Sequence, residues 1–515
     1  MALRFIAVIT ALLLMGSSSV AWGQTIRFCP SSHAPFAFDS ATGVYEEGAS
    51  FDPLLCAEEP CIQILGNLFE PLVSISDNQA IEPHLATGWE RRDDVTFRFT
   101  LRRDVKFHNG EPFDAEAVRF SLLRASQTYG ATAWFSEIAQ VSIVDSHTVD
   151  VVLKEPDSLF LYRLAYIGLI QPPRYFRQVG QAEFSKHPVG TGAFQFVRWD
   201  GKRREIHLEA NPRYWRKGYP KVKRVIYAYL DPKNALDLLI HGKLDLIRNL
   251  NPRKTTEFMQ TGTGKVVKAW LPQLVLGTFN LLKPQTPLQD LRVRQAINLA
   301  INREDLIRYG AIGNGRLLAG YTAPEDPNHA DLQPYPFNVP KAQQLLKEAG
   351  YAKGFKLSML APPDLPGQIE NILAVSLRPI GITGSFKRGI LSEFLKETYL
   401  PKFAGSTSPS FDILLYSMPL GTIFHSGNVP MTWLYSKKPN YSVLRDPILD
   451  QLYEEALRTY NPAKASALWK KLERYVYDKH LLLIGYQQPA VFGVNKRLHF
   501  TPRVLMSFWD AYYER

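Results

Sequence analysis

Hydrophobic and polar positions follow two different periods along the chain. From Thr96 to Arg102 they alternate strictly, with Phe97, Phe99 and Leu101 on one face, which predicts a half-buried strand. Asn109-Gly110 follows as a turn signal, and Asp114 stands as an N-cap before a helix whose Val118 and Leu122 share a face. The stretch Ser142 to Leu153 is β-branched and reads as a strand ending before Pro156. Alternation returns at Ile206 and Leu208, then at Val225, Tyr227 and Tyr229, before a helix near Ala235 to His241 that Gly242 stops.

The second half is richer in the helical period. Asp290 caps a helix in which Val293, Ala296, Ile297, Ala300 and Ile301 form one stripe, and Asn302 caps the next. Lys341 to Ala349 follows Pro340, with Ala342, Leu345 and Leu346 on one face and Gly350 at its end. Phe355 to Leu360 and Phe411 to Tyr416 predict strands; Asp446 to Thr459 and Pro462 to Tyr477 predict helices. Strands and helices thus alternate through at least two compact regions, the mark of a mixed α/β or α+β chain. A length of 515 residues also exceeds one ordinary core.

The N-terminus departs from this pattern. Arg4 precedes the apolar run Phe5 to Met15, then Gly16 and three serines, then Ala21-Trp22-Gly23. A basic start, a short apolar run and small residues before Gln24 predict a secretory signal peptide, residues 1–23, cleaved after about Gly23. The run is too short to span about 30 Å of hydrocarbon. Export favours a disulfide between Cys56 and Cys61, closing a small loop, over a zinc site; pairing of Cys29 with either stays open. The net charge of +11 invites a nucleic-acid reading, but acidic residues interrupt the basic runs and no nucleic-acid-binding signature is present.

Catalytic signatures are missing as well. No His-Glu-x-x-His surrounds any of the 11 histidines, and no Gly-x-Ser-x-Gly elbow occurs. Gly262-Thr263-Gly264-Lys265 has a phosphate loop's outline, but Val266 stands where Ser or Thr must hold magnesium, so it reads as a turn.

Several stretches in order resemble one family, the periplasmic solute-binding proteins of peptide- and nickel-type ABC importers (extracellular solute-binding family 5). They are Leu68-Phe69-Glu70-Pro71-Leu72-Val73, Glu82 to Trp89, Phe97 to Ala115 with its Phe107-His108-Asn109-Gly110 core, and Pro188 to Phe194. Asn211 to Trp215, Gly242 to Asp245, Asp290 to Ile297 and Leu345 to Tyr351 complete the series. The resemblance implies a two-lobed periplasmic-binding-protein-like fold of type II, with a cleft between lobes. Residues 24–67, 187–275 and 486–515 would form the base of the first lobe, 68–186 a subdomain inserted in it, and 276–485 the second lobe. It further implies a periplasmic, monomeric, non-catalytic substrate-binding component. Such a protein closes on a peptide or similar small solute and hands it to ABC permease subunits in the inner membrane, with no nucleic acid, cofactor or metal involved. Nickel-chelate, haem or opine carriage, or a secreted hydrolase on the same lobes, are the alternatives.

The resemblance places the ligand pocket at the end of the strand ending in Tyr416. Tyr416, Ser417 and Met418, then Phe424, His425 and Trp433 in the following Gly- and Pro-rich stretch, are the candidate contacts; Ser50 and Phe51 are a second wall. Here the chain departs from better-known members. Gly421 occupies the position of the ammonium-binding aspartate, Met418 that of a tryptophan, and Ala361 to Gly367 contains no carboxylate-binding arginine. At the position of the nickel-chelate arginine stands Leu169-Ile170-Gln171-Pro172.

Overall fold

The computed structural model describes residues 25–30, 36–39, 44–47, 50–55, 59–76, 80–128, 135–250, 252–362, 365, 368–388, 410–418, 427, 429–437, 442–503 and 505–514. The expected leader, Cys56, Phe424, His425 and Gly421 lie outside them.

One 11-stranded sheet runs through the molecule, in the order 194–200, 205–210, 224–228, 25–29, 246–248, 482–495, 264–279, 413–418, 356–361, 383–388, with 316–317 pairing onto 482–495. The strand Thr25–Cys29 lies parallel to both of its neighbours, so it enters the middle of a sheet half. Helix Glu59–Leu68 packs on one face of that half, where Ile26, Phe28, Leu68, Phe69, Tyr227, Phe492 and Val494 form a core. Leu236, Leu239, Ile247, Phe258 and Val491 form a smaller core of their own beside it.

The other sheet half carries two more cores. Val293, Ile297, Leu345, Met359, Ile413 and Leu415 make one; Leu276, Leu414, Tyr416, Trp433, Leu449, Trp469 and Leu482 make the other. The alternation of Ile413, Leu414, Leu415 and Tyr416 between the two shows the period-2 pattern of a strand buried on both faces. Residues between about 72 and 170 build a separate antiparallel sheet in the order 86–91, 96–101, 148–153, 138–145, with its own core around Phe97, Phe99, Val118, Leu122, Val149 and Val151. The β-branched stretch from Ser142 is not one strand but a hairpin: Ile138–Asp145 turns back as Thr148–Leu153, and the Asp145 carboxylate accepts from the His147 N–H at 2.7 Å to close the turn.

Among the described residues, two strands, Gly264–Phe279 and Leu482–Asn495, run from one half of the sheet into the other. Their pairing is continuous from Gly264 to Ala269, breaks, and resumes at Gln273. The break contains Trp270, Leu271 and Pro272, and Pro489 faces it on the other strand. Proline has no N–H to give the ladder, which accounts for the interruption of the pairing at 270–272.

Candidate functional site

The strand predicted to end in the pocket spans Ile413–Met418 and pairs with Leu274 to Phe279 of the first crossing strand. Its Tyr416 ring stacks on Trp433, centroids 4.1 Å apart and planes 4° from parallel. Both lie in the core, with 2 % and 6 % of their surface exposed, and the Thr278 and Tyr416 hydroxyls are hydrogen-bonded at 3.1 Å. Burial pushes the Tyr416 hydroxyl well above its ordinary pKa. The structure therefore brings Tyr416 and Trp433 together as an internal buttress of the strand end, with the backbone of Ser417 and Met418 just beyond. Ser50 and Phe51 are buried too, and Phe51 sits 5.1 Å from Phe196 in the core around Ile26 and Phe28.

The lobes also meet along a seam away from the crossing strands. Leu159, which follows the separate antiparallel sheet in the chain, belongs to the core that holds Tyr416 and Trp433. The Ser158 N–H donates to the Leu457 carbonyl at 2.8 Å, and the Asp157 N–H to the Tyr460 hydroxyl at 2.8 Å. Tyr460 donates in turn to the Asp94 carbonyl, under the guanidinium of Arg91. A cavity of about 220 Å³ opens on this seam, lined by Glu137, Glu155, Asp157, Tyr435, Glu454 and Arg458 among others. Two lobes on a two-stranded connection, touching at a second place, are the geometry of a body that can open and close.

Comparison with known proteins decides what this body is. Residues 80–442 match the family model of bacterial extracellular solute-binding proteins, family 5 Middle. The chain belongs to that family. It is 27% identical over 498 residues to the glutathione-binding protein GsiB of Salmonella typhimurium, covering 92% of this chain and 94% of that one. Among solved structures it is similar to the periplasmic binding protein DppA of Helicobacter pylori in complex with the peptide STSA (TM-score 0.80, 21% identity, 97% and 100% coverage). It is also similar to AgaA of A. tumefaciens R10 in complex with agropinic acid (TM-score 0.78, 21% identity, 95% and 99% coverage).

For this solute-binding protein, the motifs that carry the family resemblance do structural work. Glu70 is buried and accepts from His84 Nε2 at 3.0 Å, the Tyr214 hydroxyl at 2.8 Å and Trp215 Nε1 at 3.0 Å. Burial alone would raise its pKa, but the His84 hydrogen bond and charge, with Tyr214 and Trp215, hold it below the usual carboxylate value. Three separate motifs thus meet on one carboxylate. Gly190 and Gly192 pass so close to the Leu68 and Asn67 carbonyls that a Cβ on either would lie 2.0 or 2.2 Å from an oxygen. Gln171 is fully buried and accepts from Arg124, which also pairs with the buried Asp52.

His108, from the same motif set, accepts from the Gly190 N–H at Nδ1 and donates through Nε2 to the Gly192 carbonyl at 3.0 Å. This pairing requires a neutral ring, since a proton on Nδ1 would face another N–H. Burial, against the raising effects of the Gly192 carbonyl and Glu70, lowers its pKa to about 4 from the ordinary 6.5. The unfolded chain takes up a proton near pH 6.5 while the native ring holds out to about 4, so stability falls as pH drops across that window. The loss from His108 approaches about 3 kcal/mol at pH 4 and is absent above pH 7. His480, also lowered to about 4 by burial and by Arg294 and Arg303, adds in the same direction. Urea transitions at pH 7.5, 6.5, 5.5 and 4.5 measure it; His108→Gln should flatten the profile, and an equally steep one in the variant would remove His108 as a cause.

The residues sequence reasoning passed over sit at the crossing itself: Trp270, Arg316, Glu325 and Gln487. They are far apart in the chain and none belongs to a motif, so only the fold assembles them.

Proposed function

We propose that this protein captures a peptide or similar small solute between its lobes and delivers it, unaltered, to the permease of an ABC importer. Family membership supports a binding role, and the relatives described as glutathione- or peptide-bound support a peptide-like cargo. The observation that carries the reading is the two-stranded connection broken at 270–272, on which the lobes can turn about a solute. The lobes are assigned as residues 24–67, 187–275 and 486–515 with the insert 68–186, against 276–485. The pocket is assigned to the end of the Ile413–Met418 strand: Ser417 and Met418, Phe424 and His425 present contacts, while Tyr416 and Trp433 hold that strand end from behind. Ser50 and Phe51 anchor the facing wall.

Export supports the rest of the reading. The chain is cleaved after about Gly23, works as a monomer in the periplasm, and among the described residues no helix is long and apolar enough to cross a membrane. Cys61 is engaged in a disulfide, Cys29 is a buried thiol, and Cys56 is the partner we assign to Cys61.

Small-angle scattering with and without glutathione or a pool of di- to pentapeptides tests closure. A binding cargo should reduce the radius of gyration and raise the melting temperature, by about 2.7 kcal/mol of added stability at a hundred times Kd. Superimposable curves together with an unchanged melting temperature across the whole pool would overturn the peptide reading, and product formation from peptides or esters would overturn the non-catalytic one.

A further inference from the structure

Four observations coincide where the chain passes between the lobes. Trp270 lies in the register break and is 43 % exposed, large for an indole. The Arg316 guanidinium lies over its ring, 4.3 Å from the centroid. Arg316 donates through Nε and a terminal nitrogen to Oε1 of Gln487, at 2.8 and 2.6 Å, and the same terminal nitrogen pairs with the carboxylate of Glu325. Gln487 is completely buried, yet among the described residues its amide Nε2 has no hydrogen-bond partner.

The last point separates this cluster from an ordinary surface ion pair, which contributes about 0–1 kcal/mol. A buried donor left without an acceptor costs about 1–3 kcal/mol, and native structures rarely keep one without a use. The amide cannot be turned round to cure this, because its NH2 would then face the guanidinium. A cation, a buried amide donor beside it and a half-exposed indole form a receptor for a carboxylate with an apolar neighbour. At present a carboxylate of the chain itself, Glu325, holds the guanidinium. Lys268, two residues before Trp270, adds an ammonium that donates to Asn314 at 2.7 Å. Apolar surface surrounds the cluster in sequence: Tyr309, Ile312 and Leu317 are all more than a third exposed. Ile312 is held at φ +49°, a left-handed conformation costly for a β-branched residue.

We propose that Arg316 and Gln487 bind a carboxylate of the solute, with Trp270 against the side chain next to it, and that Glu325 is an internal stand-in displaced on binding. The inference rests on the solute-binding reading above and narrows it to acidic or free-acid solutes, which the net charge of +11 also favours by steering.

Calorimetric titration of glutathione and of di-, tri- and tetra-alanine, the alanine peptides both as free acids and as C-terminal carboxamides, tests it. Wild type should bind the free acids about tenfold or more tightly than the amides. Arg316→Gln should erase that preference, bringing free acid and amide to the same affinity. Glu325→Gln, which removes the competitor without touching the receptor, should tighten free-acid binding severalfold. Equal binding of acid and amide by wild type, an Arg316→Gln protein that keeps the preference, or a Glu325→Gln protein that binds acids more weakly would each overturn the inference and leave the peptide reading standing. A wild type that binds none of these probes would overturn both.

Discussion

Glu70→Ala is expected to lower the unfolding free energy by about 3–5 kcal/mol, the range for breaking a buried charged pair by removing one partner. Glu70 is 5 % exposed, and its carboxylate receives hydrogen bonds from His84, Tyr214 and Trp215, which arrive from two other motifs of the chain. Alanine would leave three donors facing one another in a dry joint. Trp215 is also flanked by the guanidiniums of Arg102 and Arg216, at 4.2 and 4.6 Å, whose positive charge Glu70 offsets. Glu70→Gln keeps the shape but sets an NH2 among donors, so it should recover only part of the loss. The urea transition of the two variants gives the answer; a loss below 1 kcal/mol for alanine would mean that water or rearranged donors replace the carboxylate.

The second large effect is predicted for Trp433→Ala, at about 3–5 kcal/mol, as for other large aromatic truncations in cores. Its ring is 6 % exposed, lies flat on Tyr416 and belongs to the core shared with Leu434, Tyr435 and Trp469. Stability should therefore suffer more than solute affinity, which should change by less than about tenfold because the ring acts through the strand it supports. Thermal unfolding of the empty protein and calorimetry with the same peptide decide the order. A protein of unchanged melting temperature that no longer binds would place Trp433 in contact with the cargo instead.

Much of the fold could be read from local chemistry. Asp114, Asp290, Asn302, Asp446 and Asn461 each accept from N–H groups of the helix they precede, and Gly110, Gly242 and Gly350 each adopt positive φ where a turn or helix end was expected. Those signals act within three or four residues. The hairpin over 138–153 escaped because its turn, Asp145 to Thr148, closes through a side chain and has no glycine. The candidate site was harder for the same reason at a larger scale. Alternation places Tyr416 on one face of its strand, but that strand is covered on both sides, so periodicity cannot say which aromatic is reachable. Arg316 and Gln487 are 171 residues apart and meet only through sheet pairing. A motif can reveal a residue whose role is set by its neighbours in sequence; it says nothing about one whose partners the topology chooses.

The path of the chain through the sheet also constrains how the molecule comes into being. Thr25–Cys29, made first, lies between strands 224–228 and 246–248, and the latter pairs on its other edge with 482–495, made nearly last. Half of the long sheet is therefore incomplete until almost the entire polypeptide has been synthesised, and the two cores of the other half also wait for Leu482, Leu483 and Ile484 of that same late strand. A chain held back from finishing until its tail arrives stays threadable for longer, which suits a protein that crosses a membrane before it takes its final form.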